Sequence, residues 1–355
     1  MKKIVLTGGG TAGHCLPNIA LVPALKNSGF EIFYIGSYNG IERTIAEKNG
    51  LSYYGISSGK LRRYFDLKNL SDPFRVIKGY FESEKLLKQI RPDVVFSKGG
   101  YVSVPVVKAA KKLGIPAVIH ESDITPGLAN RLSFSSAKKI CCSFKKTLDL
   151  LPAQKAVFTG TPIRRALLSG NRDRALCYTD MVSDGKPFLM VIGGSLGAQS
   201  VNEAVRSALP ELLERYNVIH LCGRGKTDPG YDRMAGYRQY EYIDDELPDL
   251  YALSDIVISR AGANAVFELL ALKKPNILIP LPGKSSRGDQ LLNAKAFEDA
   301  SYSFLLPQEE VTKESLISAV DEVYEKRETY IQAMEKAPEQ DAVEKICNII
   351  KEMSL

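Results

Sequence analysis

The sequence contains no tryptophan, only three histidines and no closely spaced pair of cysteines of the CxxC type. Its six cysteines therefore lack a zinc-binding spacing, and the few histidines make a histidine-based metal site an unexpected feature. Cysteines scattered in this way are typical of reduced thiols in a cytoplasmic protein. We accordingly expect neither a disulfide framework nor a metal centre.

Long apolar runs are also missing. The start, Met1-Lys2-Lys3, is similar to that of a secretory signal, but the apolar stretch Ile4–Leu6 runs directly into three glycines. No stretch of 18 apolar residues occurs anywhere in the chain. We therefore expect a protein that neither spans a membrane nor is secreted by this route.

What the sequence does contain is an ordinary globular composition with an uneven distribution of charge. Its 355 residues, 45% of them hydrophobic, are enough for about two domains with sizeable cores. Residues 1–160 hold 24 Lys and Arg against 11 Asp and Glu, whereas residues 161–355 hold 23 against 30. A first half with a net charge of +13 predicts a negatively charged partner, such as an anionic membrane or a polyanion.

The strongest local pattern is a strand, a glycine-rich turn and a helix, and it occurs twice. The predicted strand Lys3–Thr7 leads into GGGTAGH, and the predicted strand Phe188–Ile192 leads into GGSLGA. Such turns let backbone amides at a helix N-terminus approach a phosphate or diphosphate. The acid that a dinucleotide fingerprint needs after the second strand, Glu31–Ile35, is missing, so the pattern does not favour NAD.

Other predicted strands also end in glycine-containing or polar turns. Asp93–Ser97 precedes KGGY, Ala117–His120 precedes Glu121, and Ile256–Ser259 precedes RAGAN. Because ligands of parallel α/β sheets bind at the carboxyl ends of the strands, these turns predict a ligand site. Glu268, about one turn into the next helix, could accept two hydrogen bonds from a ribose diol or could be an ordinary solvated helix carboxylate.

Three further side chains have two open interpretations each. His14 is either a helix-capping histidine or a site residue whose protonation is tuned beside the glycine turn. Glu121 and Asp123 are candidates for acid–base work or for binding sugar hydroxyls, or they form a helix cap and a structural ion pair. The sequence alone does not choose between these roles.

Basic and aromatic residues alternate in the segment Lys60–Lys88. The segment is either an amphipathic helix pair on the core or a patch that binds a membrane surface. No nucleic-acid-binding motif accompanies it. We place the domain boundary near Gly160, expect loops over Asn171–Lys186, and expect helices after residue 311 that end with an amphipathic helix at Val343–Met353.

Six motifs, in this order, resemble those of the MurG family, the UDP-N-acetylglucosamine transferases that complete lipid II for peptidoglycan. They are GGGTAGH at 8–14, KGGYVSVP at 98–105, HESDITPGLAN at 120–130, GTPIR at 160–164, GGSLGA at 193–198, and SRAGANAVFE with DQLLNA within 259–294. Each motif is weak by itself, but the ordered set covers nearly the whole chain.

The resemblance implies an α/β protein of two Rossmann-like domains facing across a cleft, the GT-B architecture. The acceptor and membrane-associated domain would be 1–160, joined by a C-terminal helix within 338–355, and 161–337 would bind UDP-GlcNAc. The implied reaction is an inverting transfer of GlcNAc to the C4 hydroxyl of the MurNAc-(pentapeptide) of undecaprenyl-diphosphate lipid I, without a metal or other cofactor. The implied location is the cytoplasmic face of the cell membrane, with peripheral attachment and no nucleic-acid partner.

The resemblance also implies roles for individual residues. His14 is the first candidate for the general base and Glu121 the second, with Tyr101 and Asn130 on the acceptor side. Thr11, Ala12 and Gly13 would line the acceptor side of the cleft and also reach UDP-GlcNAc. The remaining implied UDP-GlcNAc-binding residues are Ser195 with Arg164 nearby (diphosphate), Ile243 (uracil), Ala263, Asn264 and Glu268 (nucleoside, phosphate and ribose), and Asp123, Asp289 and Gln290 (donor sugar).

The sequence departs from the family pattern at three places. Ser122-Asp123 stands where the family commonly has Gln-Asn, Gly160-Thr161-Pro162 where it has Gly-Asn-Pro, and Asp289-Gln290 where it has a Gln pair. These changes affect donor-sugar contacts more than uridine binding. Three rival functions stay open: a UDP-GlcNAc 2-epimerase, a glycosyltransferase acting on diacylglycerol, and a non-catalytic nucleotide-sugar sensor.

Overall fold

The structure, a computed structural model, describes residues 1–59, 68–194, 197–232, 234–283, 288–338 and 341–355. In the helix at 68–90, side chains are described from residue 74 onward. The chain forms two compact units. One comprises Met1–Arg164 together with Glu339–Leu355, and the other comprises Arg165–Pro338. The division after Arg164 lies close to the boundary expected near Gly160.

The first unit is built on a parallel sheet of seven strands in the order β3-β2-β1-β4-β5-β6-β7. The strands are β1 Lys2–Thr7, β2 Phe30–Ser37, β3 Ser52–Ile56, β4 Val94–Ser97, β5 Ala117–Glu121, β6 Lys139–Cys142 and β7 Ala156–Phe158. The helices between them are α1 Leu16–Asn27, α2 Ile41–Lys48, α3 Lys68–Ile90, α4 Ser103–Lys112 and α5 Leu128–Ser133.

The central strands of this sheet are apolar along their length because helices cover both faces. On one face Ile4 and Leu6 pack against α1, and on the other Val5 packs towards α4. The strand order reverses between β1 and β4, so the chain leaves these neighbouring strands towards opposite faces of the sheet. A reversal of this kind opens a crevice at the carboxyl ends of the two strands.

The second unit repeats the design with six parallel strands in the order β10-β9-β8-β11-β12-β13. The strands are β8 Phe188–Ile192, β9 Asn217–Leu221, β10 Tyr237–Tyr240, β11 Ile256–Ser259, β12 Asn276–Leu278 and β13 Phe304–Leu305. The helices are α6 Arg172–Thr179, α7 Gln199–Arg215, α8 Leu247–Leu253, α9 Ala263–Leu272, α10 Asp289–Asp299, α11 Lys313–Glu325 and α12 Arg327–Glu335. The prediction of two Rossmann-like α/β units with parallel sheets is thus confirmed.

One element in this unit contradicts the sequence expectation. The polar stretch Asn171–Lys186, expected to be loops, contains α6. The Asn171 side chain caps that helix by accepting the N–H of Arg174, and the Arg174 guanidinium makes a two-pronged ion pair with Asp249 of α8. These contacts come from outside the local pattern, which explains why polarity alone predicted a loop.

The last helix, α13 Ala342–Met353, belongs to the first unit. Its buried face, Ile346, Cys347 and Ile350, joins the core around α1, as its amphipathic spacing predicts. The expectation that the C-terminal helix packs on the first domain is confirmed. Within the described ranges, no helix is long and apolar enough to cross a bilayer.

Replacing Ile346 with Ala tests the contribution of α13 to the first unit. Because the side chain is fully buried, we expect the free energy of unfolding to fall by about 3 kcal/mol. Urea denaturation followed by circular dichroism measures the loss. The exposed Asn348 on the same helix supplies the control, Asn348→Ala, which should change stability little. Equal stabilities of the two variants would contradict this role of the helix.

Candidate functional site

In the first unit, the turns after the neighbouring strands β1 and β4 lie against each other. Gly100 has a left-handed φ of 82°, and a Cβ built on it would overlap the carbonyl oxygen of Gly9. The Tyr101 ring in turn occupies the space beside Gly10. Only glycines permit so close an approach of two backbones, so both GG pairs are needed to assemble this edge of the sheet.

His14 lies at the end of the short 3-10 turn Ala12–His14, directly before α1, together with Thr11 and Gly13. Its Nδ1 is 3.2 Å from the backbone carbonyl oxygen of Lys98. Since a carbonyl only accepts hydrogen bonds, Nδ1 carries the proton in the neutral ring and Nε2 carries the lone pair. The contact therefore gives His14 the tautomer that a general base needs.

A buried carboxylate that was not among the predicted site residues organises the same turn. Glu42, on α2, is fully buried and accepts the N–H of Gly10 at 3.2 Å and both the N–H and the hydroxyl of Ser37, at 2.9 and 2.5 Å. A Cβ on Gly9 would clash with this carboxylate. The Gly10 amide, expected to face a phosphate, instead binds an anion that the protein itself supplies. The only signal in the sequence was an acid two residues after Gly40.

The carboxylate of Glu121, the second candidate base, also accepts hydrogen bonds from groups of the protein itself. Its Oε1 accepts the N–H groups of Ser122 and Asp123, at 2.8 and 3.1 Å. Its Oε2 accepts the N–H of Gly127 and the side-chain amide of Asn130, at 2.9 and 2.8 Å. Four donors hold this 4%-exposed carboxylate, and the geometry argues that it shapes the 122–127 turn rather than removing a proton from substrate. Asn130, expected on the acceptor side, helps to hold the same turn.

In the second unit, three helices begin at the carboxyl ends of the adjacent strands β8, β11 and β12. They are α7, α9 and α10, whose N-cap residues are Ala198, Gly262 and Gly288. These N-cap residues are alanine or glycine, so none of them has a side chain that could accept a hydrogen bond from the first-turn amides. Their first-turn amides are thus directed to one edge of the sheet, where the helix dipoles favour an anionic ligand.

A buried arginine links the three turns. The Arg260 guanidinium donates to the carbonyl oxygens of Ile279 and Pro280, at 3.0 and 3.2 Å, and to the hydroxyl of Ser200 in α7, at 3.2 Å. Burial lowers the pKa of this guanidinium, which nevertheless remains charged at any physiological pH. Arg260 lies within the sixth motif, but its role was not predicted from the sequence. A single arginine after a wholly apolar strand was the available signal.

The predicted donor-binding residues occupy several of these turns. Glu268 and Asn264 are half-buried on α9 beside the buried Ala263, Asp289 begins α10, and Ile243 is buried after β10. The side-chain oxygen of Gln290 accepts the N–H of Leu281 at 3.0 Å, so its NH₂ group is the part suited to a sugar oxygen. Arg164 is the last residue of the first unit. The predicted diphosphate residue Ser195 lies outside the described residues.

Comparisons with known proteins agree with this architecture. Residues 4–142 match the glycosyltransferase family 28 N-terminal domain, and residues 188–352 match its C-terminal domain. The UDP-N-acetylglucosamine–N-acetylmuramyl-(pentapeptide) pyrophosphoryl-undecaprenol N-acetylglucosamine transferase of Lachnoclostridium phytofermentans is 59% identical over 355 residues, all of both chains.

Two solved structures extend the comparison. The crystal structure of Acinetobacter baumannii MurG has a TM-score of 0.77 and 26% identity, covering 99% of this chain and 100% of that one. A UDP-GlcNAc 2-epimerase from Methanocaldococcus jannaschii has a TM-score of 0.68 at 15% identity, covering 99% and 100%. The second likeness is one of fold alone.

Substitution of Glu121 separates a structural role from a catalytic one. In Glu121→Ala the four donors lose their acceptor, so we expect the free energy of unfolding to fall by about 3 kcal/mol. Glu121→Gln, which keeps one acceptor oxygen, should be less destabilised. Urea denaturation of both variants provides the measurement. Unchanged stability in Glu121→Ala, combined with abolished turnover, would instead indicate that Glu121 is the base.

Proposed function

The chain belongs to glycosyltransferase family 28 and, within it, to the UDP-N-acetylglucosamine–N-acetylmuramyl-(pentapeptide) pyrophosphoryl-undecaprenol N-acetylglucosamine transferases, and from this premise we propose how it acts. It transfers GlcNAc from UDP-GlcNAc to the C4 hydroxyl of the muramyl sugar of lipid I and so produces lipid II. The observation that carries this proposal is the 59% identity over the entire length of such a transferase. The reaction is a direct displacement with inversion at the anomeric carbon.

The second unit is the proposed donor site. Departure of UDP leaves negative charge on the diphosphate, and the amides at the starts of α7, α9 and α10 are preorganised to stabilise that charge. Arg260 adds positive charge behind the same turns. Glu268, one and a half turns into α9, accepts hydrogen bonds from the ribose hydroxyls. No metal ion is required in this proposal, because the helix amides and the Arg260 guanidinium stabilise the negative charge of the leaving group.

The first unit supplies the proposed base. The attacking hydroxyl must lose its proton as the new glycosidic bond forms. With Nδ1–H held by the Lys98 carbonyl, Nε2 of His14 accepts this proton, and the imidazolium that forms keeps its hydrogen bond to the carbonyl. Glu121 does not compete for this role, because four donors already occupy its oxygens.

Among the rival functions, the epimerase from Methanocaldococcus jannaschii shares the fold at only 15% identity. An epimerase converts UDP-GlcNAc without an acceptor, whereas the proposed enzyme releases UDP only when an acceptor hydroxyl is present. A transferase acting on diacylglycerol differs in its acceptor, and a sensor would bind UDP-GlcNAc without turnover. An acceptor panel that follows both UDP release and conversion of UDP-GlcNAc itself distinguishes all four functions.

We also propose that α3 places the first unit on the membrane that carries lipid I. Phe74, Ile77 and Phe81 are spaced along one face of this helix and are 74%, 55% and 60% exposed. The exposed Arg75 and Lys78 lie beside them. Exposed apolar side chains with flanking cations suit an anionic bilayer surface, and the first half of the chain is basic. Residues 60–67 of the predicted patch lie outside the described residues.

Release of UDP in the presence of a lipid I analogue tests the proposed roles of Glu268 and His14. Glu268→Ala should raise the KM for UDP-GlcNAc by about 10- to 100-fold, because two hydrogen bonds to the ribose are lost. His14→Ala should leave UDP-GlcNAc binding unchanged and lower kcat by about 10²- to 10⁴-fold. Full turnover in both variants would overturn this assignment of the site.

Co-sedimentation with anionic phospholipid vesicles at low salt tests the proposed membrane surface. Replacing Phe74, Ile77 and Phe81 together with Ser should weaken binding by about 10-fold or more and leave turnover of a soluble short-chain acceptor intact. The control replaces the exposed Val182 of the second unit with Ser, which should bind vesicles like the wild type. Indifference of the wild-type protein to these vesicles would refute the proposal.

A further inference from the structure

The side chain of Lys98, directly after β4, is a buried cation to which the proposed reaction assigns no task. Lys98 is only 1% exposed. Its Nζ lies 2.7 Å from Nδ1 of His120 and also donates to the hydroxyl of Ser122. A lysine is seldom buried without a specific partner, since removing an ammonium from water is costly. These two contacts join the turn after β4 to the segment that follows β5.

The direction of these hydrogen bonds is fixed by the surroundings of His120. Its Nε2 is 2.9 Å from the carbonyl oxygen of Gly160, so Nε2 carries the proton and Nδ1 accepts from Lys98. Burial and the neighbouring Lys98 hold the pKa of His120 well below its usual range, and the ring stays neutral. Lys98 is therefore the donor in both contacts, and an ammonium satisfies this requirement.

The charged and titratable groups facing Lys98 come from three places. His120 and Glu121 lie on β5, Asp123 lies in the turn after it, and Cys141 lies on β6. Burial raises the pKa of the Cys141 thiol to about 12, so this group is neutral near pH 7. Burial lowers the pKa of Lys98 to about 8, and the charges of Glu121 and Asp123 oppose that shift. Near pH 7 the ammonium therefore faces these two carboxylates, of which Glu121 is already held by four donors.

The backbone of Lys98 acts on the other side of the site. Its carbonyl oxygen accepts from Nδ1 of His14, and its N–H donates to the carbonyl of Thr7 at 3.0 Å. Gly99 and Gly100 follow with left-handed φ values of 88° and 82°. The chain thus turns sharply just after Lys98, and the residue is fixed between the two glycine turns and the Ser122–Asp123 segment.

We propose that Lys98 is a positioning residue for the transfer reaction: its ammonium holds the Ser122–Asp123 segment and offsets the charge of Asp123, while its carbonyl orients His14. This proposal rests on the proposed function, because its main readout is UDP release with a lipid I analogue. Should wild-type enzyme release no UDP with any acceptor, the proposed function fails. An active wild type that is insensitive to changes at Lys98 overturns only the inference about Lys98.

The first test replaces Lys98 with Met, which keeps the aliphatic stem and removes the charge, and uses the exposed Lys108 of α4 as the matched control, Lys108→Met. We expect kcat of Lys98→Met to fall by about 10²-fold, because the two turns lose their alignment, with a much smaller change in the KM for UDP-GlcNAc. In the wild type kcat should decline as the pH rises through about 8, where the ammonium is lost. Lys98→Met should lack this alkaline decline, whereas Lys108→Met should keep it. Identical pH profiles of wild type and Lys98→Met would overturn the proposal.

A double-mutant cycle with Asp123→Asn tests the charge relationship. If the Lys98 ammonium offsets the charge of the Asp123 carboxylate, Lys98→Met should lower activity about tenfold less in the Asp123→Asn background than in the wild type. An equal loss in both backgrounds would show that the ammonium does not offset the charge of Asp123.

Ser122→Ala adds a variant with little change in packing. Because it removes an acceptor from the ammonium, it should move the alkaline decline of kcat to lower pH, and an unmoved decline would contradict the proposed contact.

A stability measurement tests the buried charge without any substrate. The pKa of Lys98 lies near 8 in the folded protein and near its ordinary value of 10.5 after unfolding. Between these values the unfolded chain binds more protons, so wild-type stability should rise with pH relative to that of Lys98→Met. Thermal unfolding of both proteins from pH 7 to 10.5 measures this difference, with Lys108→Met as the control. A constant difference between wild type and Lys98→Met across this range would overturn the assignment of a buried ammonium.

Discussion

The candidate site of the first unit depends on close contact between two backbones at the point where the strand order reverses. Gly9 and Gly100 belong to turns that follow β1 and β4, and no side chain at Gly100 would fit beside the Gly9 carbonyl. The contact brings the Lys98 carbonyl within reach of the His14 ring. A substituent here would separate the two turns, and both the tautomer of His14 and the position of Tyr101 would lose their support.

The two units use the same strand, turn and helix in different ways. In the first unit, Glu42 from α2 binds the Gly10 amide and fills the space over Gly9. In the second unit, the N-cap residues of α7, α9 and α10 are alanine or glycine, which have no capping side chain. An internal carboxylate thus satisfies the Gly10 amide of the first unit, whereas the helix dipoles at the second edge favour an anionic ligand. This difference supports the proposal that the first unit binds the acceptor and the second unit binds the donor.

Much of the fold was predictable from local sequence, and the reasons are visible in particular elements. Phe188–Ile192 is a continuous apolar run between polar segments, and the observed β8 has the predicted bounds. The bounds of β10, Tyr237–Tyr240, were not predictable in this way, because its pairing with β9 and not its own hydrophobicity sets its position. The short strand Ser52–Ile56 was not predicted, since an edge strand with half-buried residues carries a weak pattern. The roles of Glu121 and Glu42 depend on turns that fold back onto them, which no spacing in the sequence reveals.

Lys98 and Arg260 are buried cations near the carboxyl ends of strands, one in each unit. Each would be costly to bury alone, yet each donates to groups that are fixed by the fold: His120 and Ser122 for Lys98, and the carbonyls of Ile279 and Pro280 for Arg260. Such a cation does not need to reorganise when negative charge develops nearby. Preorganised charge is the main electrostatic means by which a protein stabilises a transition state. Fixed cations behind the turns, rather than flexible ones on the surface, therefore suit a reaction whose two substrates both carry a diphosphate.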